Sequence, residues 1–484
     1  MTAAPQTAPP VPLRTDSPEQ FATLRELLTT ARFDEPTLAA RLGVRSLYNV
    51  KRITDGREAL SGTPDDANAA LVRLLIDGER LSASLAARLL GVEALSALES
   101  LGVLVPASDD PASLVATVML YPTQGLWLAS DRQPARVAEI EAMAQDYVFS
   151  ALTDLTERFL DVVPDAPGAR VLELCAGTGI AALRAVRRGA AEAWAADITP
   201  RCVHFARFNA LLNDLGDRVR VVESDAWSTL EGEAFDLVVA HPPYVPALSH
   251  RFDFRDGGED GEQVARRIVD GLGAHLRPGG RFVMTAALSD RRGAPIAQRV
   301  RAWLGAAGDE FDLVVLENGE YGPMEAYQNV TKGGKGFVDC ERWLRHFDSL
   351  GVERFALSTV ELRRDAAGSR ARDRAPSRRQ IAGPPRRGLA VSLGAARGYV
   401  RIDARSTAAR TAATRRTGRA TRGAPGIGCH RWMVHRRCRG GDSMADARAR
   451  ESAAACAHPA GVVRRDPRCR GAASGFARRR PRGR

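Results

Sequence analysis

The chain has 484 residues, room for about three domains at roughly 150 residues each, and a formal net charge of +11. That charge is uneven: residues 365–484 hold 30 Arg, no Lys and 7 acidic residues, leaving 39 basic against 51 acidic side chains before them, so overall basicity implies no nucleic-acid partner for the first 364 residues. No run approaches the roughly 18 apolar residues of a membrane span, the N-terminus lacks the apolar region of a signal peptide, and Cys175, Cys202 and Cys340 are too scattered for a disulfide framework, which predicts a soluble cytoplasmic protein with free thiols.

Residues 1–16, rich in Ala, Pro and Thr, have no apolar period and read as a disordered arm. A helix is expected from Ser17-Pro18-Glu19-Gln20, with Ser17 capping, Pro18 supplying a helical φ and Gln20 reaching back; Phe21, Leu24, Leu27 and Leu28 then share one face. Residues 38–43 and 85–91 read as two short helices with similar ends, each closed by a glycine. The second begins a pattern of helix 83–90, tight turn, helix 93–100 and strands near 103–106, 114–121 and 125–129, with Pro122-Thr123-Gln124-Gly125 as the hairpin turn. Helix, turn, helix and hairpin predict a small winged-helix-like α+β domain over 17–130.

From about residue 135, strands and helices alternate. The pattern predicts an α/β domain over 131–364 built on a seven-stranded, mostly parallel, Rossmann-like sheet covered on both faces. Strands are expected at 169–175, 193–197, 219–223, 235–240, 281–287, 311–317 and 354–362, with Pro278-Gly279-Gly280 as a turn feeding the fifth and a helix at 339–349 before the last. After Arg364 the periodicity vanishes. Residues 365–484 read as a disordered Arg-rich tail, and 30 Arg without a single Lys point to out-of-frame translation of a GC-rich gene more than to an evolved polycation.

Ligands of open parallel sheets bind beyond the carboxyl ends of the strands. Glu173-Leu174-Cys175-Ala176-Gly177-Thr178-Gly179 occupies such a place. Gly177 and Gly179 permit close approach of a nucleoside, and the following helix directs its positive N-terminus at a carboxylate. Glu173 can hold a cofactor amine, directly or through water. Asp197, twenty residues beyond Gly177, ends the next strand where a carboxylate chelates ribose hydroxyls. Asp225 ends the third strand and can accept from an adenine amino group, with Ala226 and Trp227 near the ring; Trp227 reads equally well as packing. His241-Pro242-Pro243-Tyr244 ends the fourth strand as an acceptor clamp. In this order the motifs indicate methyl transfer from S-adenosylmethionine to a planar nitrogen.

Residues 140–290 resemble the class I S-adenosylmethionine methyltransferases, and especially the family that methylates the glutamine amide of peptide-chain release factors. The likeness rests on the glycine loop, Asp197, Ser224-Asp225-Ala226-Trp227, the strand leading into His241-Pro242-Pro243-Tyr244, and Asp256-Gly257-Gly258-Glu259-Asp260-Gly261. His241 departs from the Asn, Asp or Ser usual in that family, and Cys175 from its usual first glycine. The resemblance implies that the side chain at 241 and the backbone carbonyl of Pro242 bind the hydrogens of the acceptor nitrogen, with Tyr244 against its plane. His241 accepts only when neutral, so activity should fall on acidification between about pH 8 and 5.5.

The expected acceptor is a macromolecule, a protein glutamine amide in a translation factor or ribosomal protein before an exocyclic amine of an RNA or DNA base; the acidic core disfavours a grip on phosphates. A non-catalytic nucleic-acid-binding protein is the third reading. The Asp256–Gly261 stretch reads as a surface loop or a substrate loop, and residues 317–323 as a solvated turn that can line the acceptor pocket. Cys429, His430, His435 and Cys438 lie in an aperiodic tail, so no metal is expected.

Overall fold

The computed structural model of the protein describes residues 11–44, 46–49, 62–132, 143–330, 340–366 and 399–403. The expectations for residues 1–10, for most of the Arg-rich tail and for its Cys and His residues lie outside the described residues. Among those described, no helix is long and apolar enough to cross a membrane.

All seven predicted strands of the sheet are present: β6 (Arg170–Leu174), β7 (Glu192–Asp197), β8 (Val219–Glu223), β9 (Phe235–Ala240), β10 (Leu276–Arg291), β11 (Phe311–Tyr321) and β12 (Val352–Arg364). They are ordered β8-β7-β6-β9-β10-β12-β11. Pairing is parallel from β8 through β10, and β12 runs antiparallel to both β10 and β11. Strand residues alternate between two buried clusters. Val171, Leu237 and Val239 join one with the helices Ile180–Arg187 and Pro200–Leu212; Leu172, Leu174, Val238 and Ala240 join another with Gln263–Asp270 and Ile296–Trp303. Period-2 patterning with both faces apolar thus produces a sheet buried on both sides.

Three expectations are corrected. Pro278-Gly279-Gly280 does not precede the fifth strand but sits within it, where pairing with β9 jumps from Leu276 opposite Phe235 to Arg281 opposite Leu237. Residues 317–321 continue β11, where Tyr321 stacks on Phe355 at 5.5 Å, so they are not a solvated turn. Within the tail, Tyr399–Asp403 forms β13, parallel to β11 at the sheet edge.

In the N-terminal region, Phe21, Leu24, Leu27 and Leu28 are all buried on the helix Pro18–Thr30, although the Ser17 side chain makes no capping bond. The helices Ala83–Leu90 and Val92–Ser100 follow β1 (Leu81–Ser82) and precede β2 (Leu104–Ala107) and β3 (Asp110–Ala116), in a sheet of order β1-β3-β2. The hairpin beside the helix pair is therefore β2–β3, not the one across Gln124-Gly125. Its first strand was expected at 103–106; Pro111 concealed the start of β3, because proline inside a run argues against a strand. The predicted strand 114–121 is divided between β3 and β4 (Met119–Thr123), and β4 pairs with β5 (Leu126–Ser130) as a separate hairpin.

That second hairpin joins the N-terminal region to the sheet. Asn213 accepts from Trp127 N–H at 3.0 Å and donates to Trp127 C=O at 2.7 Å; Asn209 does the same with Ala129, at 2.7 and 3.1 Å. Two side-chain amides one helical turn apart thus extend a strand ladder onto the face of a helix. Phe21 meets Phe208 edge to face at 5.1 Å, and one buried cluster runs across the expected boundary at 130/131. Asn213→Ala leaves both polar groups of Trp127 without their partner. With each such loss worth about 1–3 kcal/mol, the urea midpoint of equilibrium unfolding should fall by the equivalent of about 2–6 kcal/mol with the slope unchanged.

Candidate active site

The strand order reverses between β6 and β9, since β6 leads away to β7 on one side and β9 to β10 on the other. Such a switch point opens a crevice at the carboxyl ends of the strands. Leu174 is opposite Ala240, so the next residues, Cys175 and His241, emerge side by side. Above them lies a cavity of about 780 Å³. Glu173, Cys175, Gly177, Asp197, Asp225, Ala226, His241, Pro242, Pro243 and Tyr244 all line it.

Each acidic residue is held in place. Both carboxylate oxygens of Glu173 accept from the first turn of the following helix, from Ala181 N–H at 3.1 Å and Ala182 N–H at 2.8 Å. Burial nonetheless pushes its carboxyl up to about 8, against those two donors. Its oxygens thus support the loop, and the expected hold on a cofactor amine, directly or through water, falls to lone pairs beyond these two bonds. Asp197 accepts from Gly177 N–H at 2.8 Å and Thr199 N–H at 3.1 Å, tying the ends of β6 and β7 together, and burial raises its carboxyl above the ordinary range. Asp225 is paired with Arg267 at 2.7 Å.

The loop backbone fits a nucleoside. Gly177 has φ 52°, and a Cβ built on it would meet no protein atom within 4 Å, so the space beside it is open. Cys175 holds φ 56° in the same left-handed region, the conformation its usual glycine would adopt freely and an L-residue adopts at a cost of about 1–2 kcal/mol. Burial raises its thiol, and the Asp197 and Glu173 carboxylates add to the shift, so the group stays protonated. Two predicted residues are not brought to the cavity. Gly179 caps the helix Ile180–Arg187 with its Cα face 3.2 Å from the Ala206 Cβ, measured to an added Cβ, and serves helix packing. Trp227 turns away, donating to the Arg267 and Ile268 carbonyls at 3.2 and 3.1 Å and stacking on His275 at 4.4 Å.

His241 lies between two rings, with Phe159 at 5.3 Å and Tyr244 at 5.9 Å, both within 30° of parallel. Its nitrogens have no hydrogen-bond partner among the described residues. Burial lowers its pKa from 6.5 to about 4, so the ring is neutral through the range where an acid limb had been expected. Asp256 and Asp260 prove to be buried supports: Asp256 accepts from Arg251 and Phe252 N–H at 2.7 and 2.9 Å, and Asp260 pairs with Arg266 and Arg291. Residues 317–323 do not line the cavity.

Sequence reasoning missed an entire wall. Tyr147, Phe149, Ser150, Thr156 and Phe159 approach from before β6, and Ile198, Leu248, His250 and Phe254 complete the rim. Phe149 stacks on Phe254 at 5.1 Å. The only advance signal was the aromatic spacing of Tyr147 and Phe149, which has no period of its own.

Residues 139–291 match the family model described as the methyltransferase small domain. Over 141 residues the chain is 30% identical to the release factor glutamine methyltransferase of Gloeobacter violaceus, a match covering 26% of this chain and 49% of that protein. It is 32% identical over 110 residues to the ribosomal protein uL3 glutamine methyltransferase of Francisella tularensis, covering 20% and 35%. It is 34% identical over 161 residues to the ribosomal protein L11 methyltransferase of Symbiobacterium thermophilum, covering 33% and 45%. The chain spans about half the length of the curated relatives it matches.

The unfolded chain takes up a proton at His241 near pH 6.5, whereas the native imidazole resists until about pH 4. Between those values the unfolded state holds more protons, so this residue makes stability fall as pH falls and rise as pH rises. NMR titration of the His241 ring should give a midpoint near 4, and His241→Gln should flatten unfolding stability between about pH 6.5 and 4.

Proposed function

We propose, taking residues 139–291 as a methyltransferase small domain, that the protein transfers the methyl group of S-adenosylmethionine to the side-chain amide of glutamine in a protein of the translation apparatus. The observation that carries this reading is the shared cavity: the glycine loop after β6 and His241-Pro242-Pro243-Tyr244 after β9 face one space. The protein acceptor is supported by the acceptors that name the relatives and by the acidic balance of the first 364 residues.

Bound in this cavity, S-adenosylmethionine supplies an electrophilic methyl on a sulfonium. Gly177 leaves room for the nucleoside, and Asp197, with lone pairs to spare beyond its two backbone donors, accepts from ribose hydroxyls. An amide nitrogen is a poor nucleophile because its lone pair is delocalised into the carbonyl. A neutral imidazole nitrogen of His241 accepts one amide hydrogen and the Pro242 carbonyl the other, which aims the lone pair and stabilises charge growing on nitrogen. The two prolines lock φ and hold that carbonyl in place. Methyl transfer would leave the amide nitrogen with a proton to shed, and His241 and Pro242, as acceptors, would hold the hydrogens until one is released to solvent.

Labelled cofactor should transfer its methyl to an extract component that survives nuclease and is lost to protease; exhaustive enzymatic proteolysis should yield N5-methylglutamine, and acid hydrolysis should release labelled methylamine. Label lost to nuclease instead would move the acceptor to a nucleic-acid base. His241→Ala should lower kcat about 100-fold while cofactor Kd stays within about twofold; retention of full rate would remove His241 from the clamp. The free-enzyme acid limb should lie near pH 4, set by burial of that ring. Gly177→Val should abolish calorimetric cofactor binding while costing only about 1–2 kcal/mol of stability, the left-handed penalty.

A further inference from the structure

The wall formed by residues 147–151 has no helix or strand of its own. An irregular segment cannot fix its position by a ladder, so its backbone groups must find partners elsewhere. They find them on the β4–β5 hairpin. Asp131, which follows β5 and is 9% exposed, accepts from Val148 N–H at 2.8 Å, and its own N–H donates to Val148 C=O at 3.2 Å. Tyr121, in β4 and fully buried, accepts from Ala151 N–H at 2.7 Å through its hydroxyl.

The same hairpin reaches the other side of the cavity. The Asp131 carboxylate also receives Arg201 Nε at 2.8 Å and Nη2 at 2.5 Å. Arg201 sits in the first turn of the helix that follows Asp197, and that helix is capped by Thr199, itself bonded to Asp197. Asn209, further along the helix, joins Ala129 of β5 to the Thr178 carbonyl of the glycine loop at 3.0 Å. One carboxylate and one hydroxyl outside the cavity therefore link its aromatic wall to its ribose side.

We infer that Asp131 and Tyr121 are positioning residues for the cofactor: the β4–β5 hairpin of the N-terminal region sets the 147–151 wall against the glycine loop and completes the site. This rests on reading the cavity as the S-adenosylmethionine site. Neither side chain lines the cavity, so their effect must pass through Tyr147, Phe149, Ser150 and Ala151, which do.

The test uses the full chain and S-adenosylhomocysteine as the calorimetric probe. Tyr121→Phe keeps the ring and removes the hydroxyl that accepts from Ala151 N–H and also meets the Ser150 and Ser130 side chains. Its Kd should rise at least fivefold, with a far smaller change in kcat at saturating cofactor, and amide exchange should quicken at 147–151 while β6 is unchanged. Asp131→Asn removes the carboxylate that takes both Arg201 Nε and Nη2 and should weaken binding further. Adding Arg201→Gln supplies a neutral amide partner and should recover part of that loss. A folded Tyr121→Phe protein with a lowered Tm but unaltered Kd and unaltered exchange at 147–151 overturns the inference, leaving the contact purely structural. Failure of the unaltered chain to bind S-adenosylhomocysteine is a different result: it overturns the cofactor reading itself.

Discussion

The parallel pairing of β6 with β9 is the constraint on which the site depends. It sets Leu174 opposite Ala240 and so brings the glycine loop and the His241 strand end to one crevice. Side chains in a strand alternate with period two, and a slip of one residue would send every core side chain to the wrong face. The register is therefore fixed by burial, with Leu172 and Leu174 in one cluster and Val171 in the other. Core packing and site geometry are consequences of the same pairing, and neither can change without the other.

Around that crevice, carboxylates are buried at a cost and retained because backbone donors meet them. Glu173 takes two helix N–H groups and Asp197 takes two loop N–H groups, yet burial still raises both above the ordinary carboxylate range. Their first effect is on the backbone: they fix the turn through Cys175 and Gly177, whose left-handed φ values would otherwise be poorly populated. Cys175 can replace a glycine there because what the site requires at that position is a backbone conformation, held from outside by Asp197 and Glu173. No reactive thiol is needed, and burial keeps this one protonated.

The sheet was legible in the sequence because both-face burial writes long β-rich runs and glycine writes the turns. All seven strands were found, and ten of twelve predicted site residues line one cavity. Trp227 was misplaced because its indole N–H satisfies helix carbonyls forty residues away, a long-range pairing that local spacing cannot encode. The 147–151 wall was invisible for a related reason. It has no periodicity, and its location depends on Asp131, at the expected domain boundary, and on Tyr121, which a sequence reading places in another domain. The β2–β3 hairpin was missed because Pro111 hid the start of β3, although its first strand was expected at 103–106. In each case the missing information was a partner, and partners are set by the folded topology.

His241 brings these strands of argument together. An imidazole exposed to water would be substantially protonated in mildly acidic conditions and would then offer two donors where the proposed chemistry needs an acceptor. Here the ring is enclosed between Phe159 and Tyr244 with no carboxylate against it, and burial alone depresses its pKa to about 4. The aromatic enclosure therefore performs for histidine what an amide or hydroxyl side chain provides by its chemistry, a group that does not gain a proton. Phe159 comes from the helix Asp154–Val162, which follows directly on the 147–151 wall. His241 and the architecture around it are thus coupled: without a packed aromatic segment ahead of β6, a histidine at the end of β9 would titrate near 6.5 and lose its lone pair over a range where the proposed chemistry needs it.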